Sequence, residues 1–217
     1  MKNNGTLSLV PAPDVLNYAC AIATGNGAYI DLGNHPGSCI SDPGECSADK
    51  STWSIWLMVN FTANDGDVTF LSSGTALTNG VLFARAANGN FQYGAFINSN
   101  HWIATVPEGK IADGTWFHLA FWIDAASLKL RAYINGQPID TAPIEAQTSM
   151  FTPGTPSNGL LTLGTHSASK GQKTATAAFS DLMIFEKQLS DNEIMHIHKC
   201  GVIGKYQDAV ICEVRSP

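Results

Sequence analysis

From Asp113 to Ile139 the chain reads DGTWFHLAFWIDAASLKLRAYINGQPI. Asp113-Gly114 is a turn signal, and Trp116–Ile123 is apolar at both parities, as expected of a strand buried on both faces. Leu128, Leu130, Ala132 and Ile134 then alternate with Lys129, Arg131 and Tyr133, the pattern of a strand with one face on a core and the other polar. Asn135-Gly136 follows at once. This dipeptide accommodates the two positive φ angles of a type I′ turn, the strongest short-range hairpin signal, and is expected at the rim of an antiparallel sheet.

Working outward, further strand patterns lie on both sides. Tyr18–Ala23 and Ala28–Gly33 are separated by a turn signal at Gly25–Gly27. Thr52–Thr62 places Trp53, Ile55, Leu57, Val59 and Phe61 on one face. Val68–Ser72, Val81–Ala86, Phe91–Ile97, His101–Val106, Leu160–Gly164 and Ala177–Phe185 continue the series. Close spacing with turns between predicts an all-β sandwich or barrel. One helix is announced by Ser190-Asp191-Asn192-Glu193, a capping box with Leu189 and Ile194 at the staple positions. Lys199 suits the end of the dipole and Gly201 is a natural stop. The helix is predicted over Asp191–Cys200, packing Ile194 and Ile197 on the sandwich.

Composition agrees. The chain has 217 residues, 44% of them hydrophobic, only 14% charged, and 20 glycines. This suits many short strands, and the length fits one domain with a sizeable core. Residues 1–17, rich in Asn, Gly and Pro, read as a linker, 18–203 as the domain and 204–217 as a C-terminal extension. A net charge of −6 without a Lys/Arg cluster argues against a nucleic-acid partner and against an anionic membrane surface. No apolar run reaches the roughly 20 residues that span a bilayer, so membrane insertion is not expected. The N-terminus is too polar for a signal peptide, so either a signal was removed from this numbering or the chain is an excerpt of a longer protein; an extracellular or cell-surface place, as part of a larger secreted or membrane protein, is expected.

Cys39 and Cys46 bracket ISDPGE, a turn-rich loop that suits a disulfide better than a metal knuckle. Cys20 lies near the start, Cys200 and Cys212 near the end. One of the latter two is expected to staple the termini to Cys20, with Cys200 assigned to it. The remaining thiol is left unpaired, or bonds a missing segment, or bonds another chain and makes an oligomer. Such cysteine usage favours an oxidising, extracellular setting. Asn4 and Asn60 match the N-glycosylation acceptor pattern.

Four segments in order resemble the laminin-G-like, or concanavalin A-like, jelly-roll superfamily, and the cysteine-bracketed loop before the Trp strand resembles its animal extracellular members in particular. They are GNGAYIDLG at 25–33, WSIWLMVNF at 53–61, GTWFHLAFWIDAASLKLRAYINGQPI at 114–139 and FSDLMIFEKQLSDNEI at 179–194. The resemblance covers roughly residues 20–200. It implies two antiparallel sheets packed face to face, with termini close together. It also implies a recognition module for glycan or protein ligands in adhesion or matrix, sometimes with a loop calcium. A structural module joining neighbouring chains is the alternative.

Catalytic chemistry finds little support. Glycosidases place two carboxylates about 5–9.5 Å apart across one bond. Asp181 and Glu186 stand at odd spacing, on opposite faces of a strand, and the hydrolase signature of the superfamily is absent. No nucleophile elbow or P-loop occurs, so the chain is not expected to be an enzyme. His118 reads as a hydrogen-bonded structural histidine, and His196 and His198 point to different sides of their helix. Calcium takes oxygens from Asp, Asn and carbonyls. Asp65 and Asp67 in the Asn64–Asp67 loop offer these, as do Asp31 and Asp181, which close two segments expected to lie near each other. Sugar sites pair an aromatic platform with polar groups, and Tyr93, His101 and Trp102 are the candidates for that role.

Overall fold

Trp116–Ile123 can be apolar at both parities only if something covers each face of its sheet, and the architecture supplies both covers. The computed structural model describes residues 2–13, 21–61, 63, 66–73, 79–98, 100–140, 143–148, 159–200 and 209–211. The strands are β1 (Lys2–Val10), β2 (Ala21–Asn34), β3 (Lys50–Val59), β4 (Val68–Ser72), β5 (Gly80–Arg85), β6 (Phe91–Ile97), β7 (Asn100–Val106), β8 (Trp116–Asp124), β9 (Lys129–Ile134), β10 (Gln137–Pro138), β11 (Ile144–Glu145), β12 (Gln147–Thr148), β13 (Leu160–Leu163) and β14 (Ala177–Phe185). The helix α1 (Asp191–Cys200) and β15 (Ala209–Ile211) follow.

Pairing is antiparallel and follows the order β10-β9-β8-β3-β14-β2-β13-β4-β5-β6-β7-β12. β2 divides this path into two layers. Its first half pairs with β14 (Phe179↔Ile22) and its second with β13 (Leu163↔Ile30). A second crossing lies at Ala146, because Ile144–Glu145 pairs with β9 while Gln147–Thr148 pairs with β7. The result is a two-sheet jelly-roll sandwich with one short helix, as expected. Trp53, Leu57, Phe70, Phe83, Tyr93, Trp102 and Phe121 fill the space between the sheets. Tyr93 meets Phe121 edge-on across it, with ring centroids 6.0 Å apart.

The outer face of the β8 sheet is closed by α1. Leu189, Ile194 and Ile197 pack on Ala120, Trp122, Tyr133, Met183 and Phe185. The capping box forms as read: the Glu193 amide donates to Ser190 Oγ (3.3 Å) and the Ser190 amide donates to Glu193 Oε2 (2.8 Å). Asn135 and Gly136 take φ of 50° and 75°, the type I′ turn. This turn is not a free rim feature. A Cβ on Gly136 would lie 3.1 Å from Met195 Cα, so the turn is the seat on which α1 rests. Under the helix, His118 Nε2 shares a hydrogen bond of 2.7 Å with Ser54 Oγ. The His118 ring also meets those of Trp56 and His198. Burial, then the neighbouring His198, lowers the His118 pKa to about 3. His118 is thus the structural histidine its strand implied.

The expected linker differs. Lys2–Val10 is a strand paired along β2, from Lys2↔Asp31 to Val10↔Ala21. Gly25–Gly27 does not end a strand; β2 runs through it, and β1 shifts register opposite, between Asn4 and Thr6. The physical reason is the long unpaired edge that β2 presents, which Leu7 and its neighbours satisfy while Leu7 packs on the core. Residues 209–211 likewise pair with β14 rather than extending away. Cys39 and Cys46 form the expected disulfide. Cys200 is a free thiol, so the staple assigned to it is not made; Cys20 and Cys212 lie outside the described residues.

Candidate carbohydrate-binding face

Among the described residues, no helix lies over the outer face of the second sheet at β5, β6 and β7. Register and parity decide what it presents. On β6, Phe91, Tyr93, Ala95 and Ile97 point into the core, leaving Gln92, Gly94 and Phe96 outside; on β7, Trp102, Ala104 and Val106 point in, leaving His101, Ile103 and Thr105 outside. Three cross-strand rows result. Phe96, His101 and Gln147 form the first, Leu82, Gly94 and Ile103 the second, and Ala84, Gln92 and Thr105 the third.

The centre of this surface is apolar and flat. Gly94 has no side chain, and the Phe96 ring leans over it. A Cβ there would come within 3.1 Å of Phe96 Cε2 and 3.6 Å of Leu82 Cβ. Phe96 stacks on His101 with centroids 6.2 Å apart and planes 16° apart. Ile103 beside them is 46% exposed, one of few large apolar side chains so exposed among the described residues. Amide and hydroxyl groups of Gln92, Thr105 and Gln147 surround this centre, each able to donate and accept. His101 Nδ1 is buried without a hydrogen-bond partner among the described residues. The rows contain no carboxylate, lysine or arginine. Such a surface offers an aromatic and aliphatic plate with neutral hydrogen-bonding edges.

Of the three residues expected to bind ligand, only His101 lies on it. Tyr93 and Trp102 are 1% and 0% exposed, on the inward parity of the same strands, and belong to the core. Burial raises the Tyr93 pKa far above its usual range. Phe96, Gln92, Ile103 and Gln147 were not picked out from sequence. A signal for the first three existed: His101-x-Ile103-x-Thr105 and Gln92-x-Gly94-x-Phe96 are the more polar parities of their strands.

The carboxylates expected to hold calcium do not converge. Asp31 accepts from Lys170 Nζ and from the Gly33 amide. Asp67 accepts from the Ala87 amide at 2.7 Å and pairs with Lys173 at 3.3 Å. Asp181 stands in the β14 bulge near the start of β2, while Asp31 lies near its far end, so the expected closeness is not found. There burial lifts the Asp181 carboxyl to about 6. Asp65 lies outside the described residues. Among the described residues no three His, Cys, Asp or Glu side chains gather as a metal site would require. Asn60 is exposed; the side chain of Asn4 lies outside the described residues.

Comparison with known proteins agrees with this architecture. A family model described as the concanavalin A-like lectin/glucanases superfamily, Laminin_G_3, matches residues 24–195. No curated protein sequence matches the chain. Among solved structures, one is of botulinum neurotoxin type C, whose passage into cells is dependent upon interaction with two ganglioside molecules. It superposes with a TM-score of 0.63 at 14% identity, over 93% of this chain and 46% of that one. Domain 4 of AbnA, an extracellular arabinanase of Geobacillus stearothermophilus, in complex with arabinotriose, gives a TM-score of 0.58 at 18% identity. It covers 90% of this chain and 82% of that domain. A botulinum neurotoxin DC binding domain in complex with SialylT gives 0.58 at 14% identity, over 91% and 45%. The chain thus spans less than half the length of the neurotoxin chains. At these identities the likeness is one of fold.

Proposed function

This chain belongs to the concanavalin A-like lectin/glucanase superfamily, and on that premise we propose that it is a non-catalytic carbohydrate-binding module. Its sugar lies on the open face of β5, β6 and β7. The observation that carries the reading is the plate of Phe96 over Gly94, with Leu82 and Ile103 beside it and neutral donors around it. A pyranose or furanose ring has an apolar face and equatorial hydroxyls, and the plate matches both at once. Relatives of this fold occur in complexes with arabinotriose and with SialylT, which supports a glycan over a protein ligand. The absence of Lys and Arg from the rows favours neutral sugars over sialylated ones. Hydrolysis would need two carboxylates flanking the bond, and none stands on the plate.

The extracellular setting, in adhesion or matrix, is part of the same proposal. It is supported by the Cys39–Cys46 disulfide and by the acceptor pattern at exposed Asn60. A second reading, a module that joins neighbouring chains, draws on the exposure of Ile103 and of Leu9 in β1, 46% and 63%.

The test is a glycan array probed with the protein and with Phe96→Ala, in calcium and in chelator. We expect binding to neutral oligosaccharides, weakened at least about tenfold by the substitution, or roughly 1.4 kcal/mol. Binding unaffected by Phe96→Ala sinks the proposed face. A blank array, with self-association in light scattering that Ile103→Asp abolishes, selects the second reading. Calcium-dependent binding would return attention to the 64–67 loop.

A further inference from the structure

Given that a glycan binds the β5–β7 face, we propose that the turn Thr165–Gln172 is the side wall of that face. It meets the edge of the bound ring, excludes chains branched on that side, and is held in place by Ser72. Directly paired residues of an antiparallel sheet share a face, so the row of Ile103, Gly94 and Leu82 can be followed beyond β5. It continues to Ser72 on β4 and Thr162 on β13. These two residues point outward like Leu82, yet both are 0% exposed. The open surface therefore stops between β5 and β4, where something covers the sheet.

The cover is the Thr165–Gln172 turn. Thr162 Oγ1 donates to the Thr165 carbonyl at 2.9 Å, which sets Thr165 over β13. Ser72 Oγ donates to Ser167 Oγ at 3.0 Å and accepts from the Ser167 amide at 3.2 Å, which sets Ser167 over β4. From Thr165 to Ser167 the chain thus advances by one strand, about 4.8 Å, toward β5. The exposed Ala168 and half-buried Ser169 form the tip that follows, and Leu82 is the next side chain in the row beneath. The chain then folds back. The Gly171 amide donates to Thr165 Oγ1, which donates to the Gln172 carbonyl, each at 3.0 Å. His166 Nδ1 accepts from the Ala168 amide at 3.3 Å. The turn is braced from below by Ser72 and from within by Thr165 and His166.

Its charges are directed elsewhere. Lys170 pairs with Asp31 on β2 and Lys173 with Asp67 ahead of β4. The tip keeps a methyl group and a hydroxyl that can donate and accept, a neutral edge for a neutral ring lying on Leu82 and Phe96. A branch directed at β4 would meet the turn, and rejection by such a clash is a source of specificity. Ser72 lies beneath the turn and acts through it, so it is a positioning residue.

The test is an array of neutral oligosaccharides in which each backbone is present unbranched and with a single-sugar branch, probed with the full chain and its variants. We expect the unbranched member of a pair to bind better. Ala168→Trp, at an exposed position, should weaken binding at least about tenfold. Ser72→Ala should narrow the preference for unbranched over branched chains at least about threefold and speed hydrogen exchange of the Ser167 amide. Ser72→Thr, which keeps the hydroxyl, should restore both. Loss of stability alone would not change the preference within a pair. If Phe96→Ala weakens binding while Ala168→Trp and Ser72→Ala change neither affinity nor preference, the wall is overturned and the sugar face stands. A blank array, or binding indifferent to Phe96→Ala, overturns the sugar face and the wall with it. Should Ser72→Ala fail to fold, Ala168→Trp decides.

Discussion

The two outer faces of the sandwich have opposite fates. On the β8 sheet, α1 and the Asn135-Gly136 turn seal Trp56, His118 and Trp122 from water. On the second sheet, Phe96, His101 and Ile103 face out over three strands with no helix above them among the described residues. Aromatic rings and a histidine occur on both. The difference is the cover, and it teaches that residue type alone does not separate a core from a binding plate. On the sealed face Trp122 Nε1 donates to Tyr133 Oη, which donates to Asp191 Oδ1, while Trp56 Nε1 and His118 Nδ1 are shut away from water without a hydrogen-bond partner among the described residues.

The sharpest way to break this contrast is to weaken the cover. Ile197→Ala, at a fully buried position on the inner side of α1, should cost about 2–5 kcal/mol. Ile103→Ala on the open face should stay within about 0.5 kcal/mol. Urea denaturation of both gives the comparison directly, and equal losses would mean that the open face is covered.

Acid probes the sealed face next. With its folded pKa at about 3 against an ordinary 6.5, His118 binds fewer protons when folded than when unfolded across that window. Stability is therefore present above pH 6.5 and is lost as pH falls toward 3, by at most about 1.4 kcal/mol per unit. Denaturation midpoints at several pH values should show this slope, and His118→Asn should flatten it.

On the open face, Gly94→Ala should push the Phe96 ring and change glycan affinity several-fold, at a stability cost within about 1 kcal/mol. Titration calorimetry beside thermal melts separates the two effects, and unchanged affinity would remove Gly94 from the plate. The smallest effect belongs to Asp181. Its raised pKa makes the folded chain hold more proton than the unfolded one between 3.8 and about 6, so stability is lost as pH rises through that window. Asp181→Asn should recover roughly a few tenths of a kcal/mol at pH 7, a value already discounted for partial exposure. It should recover nothing at pH 3. Melts at the two pH values check the sign.

Much of the fold was legible because its signals are local. The alternation at 128–134, Asn135-Gly136 and the Ser190–Glu193 box each name an element without reference to the rest of the chain. Lys2–Val10 was not, since KNNGTLSLV carries Asn and Gly that disfavour a strand; it pairs because β2 leaves an edge to satisfy. The plate was half legible. His101 was found, but Trp102 and Tyr93 were chosen by residue type, whereas their inward direction comes from parity relative to the core. Phe96 was missed because its role needs Gly94 directly beneath its ring. Gln147 was missed because its place beside His101 is set by a crossing from the other sheet.

β2 is a member of both layers, hydrogen-bonded to β14 through Ile22–Thr24 and to β13 from Ile30 onward. A strand held in common cannot be released from one layer while the other stays whole, so the sandwich should open as a single cooperative unit. Native-state hydrogen exchange should then give the amides of Ile22–Thr24 and of Ile30–Asp31 one opening free energy and one denaturant dependence. Two distinct values would mean that each sheet opens on its own.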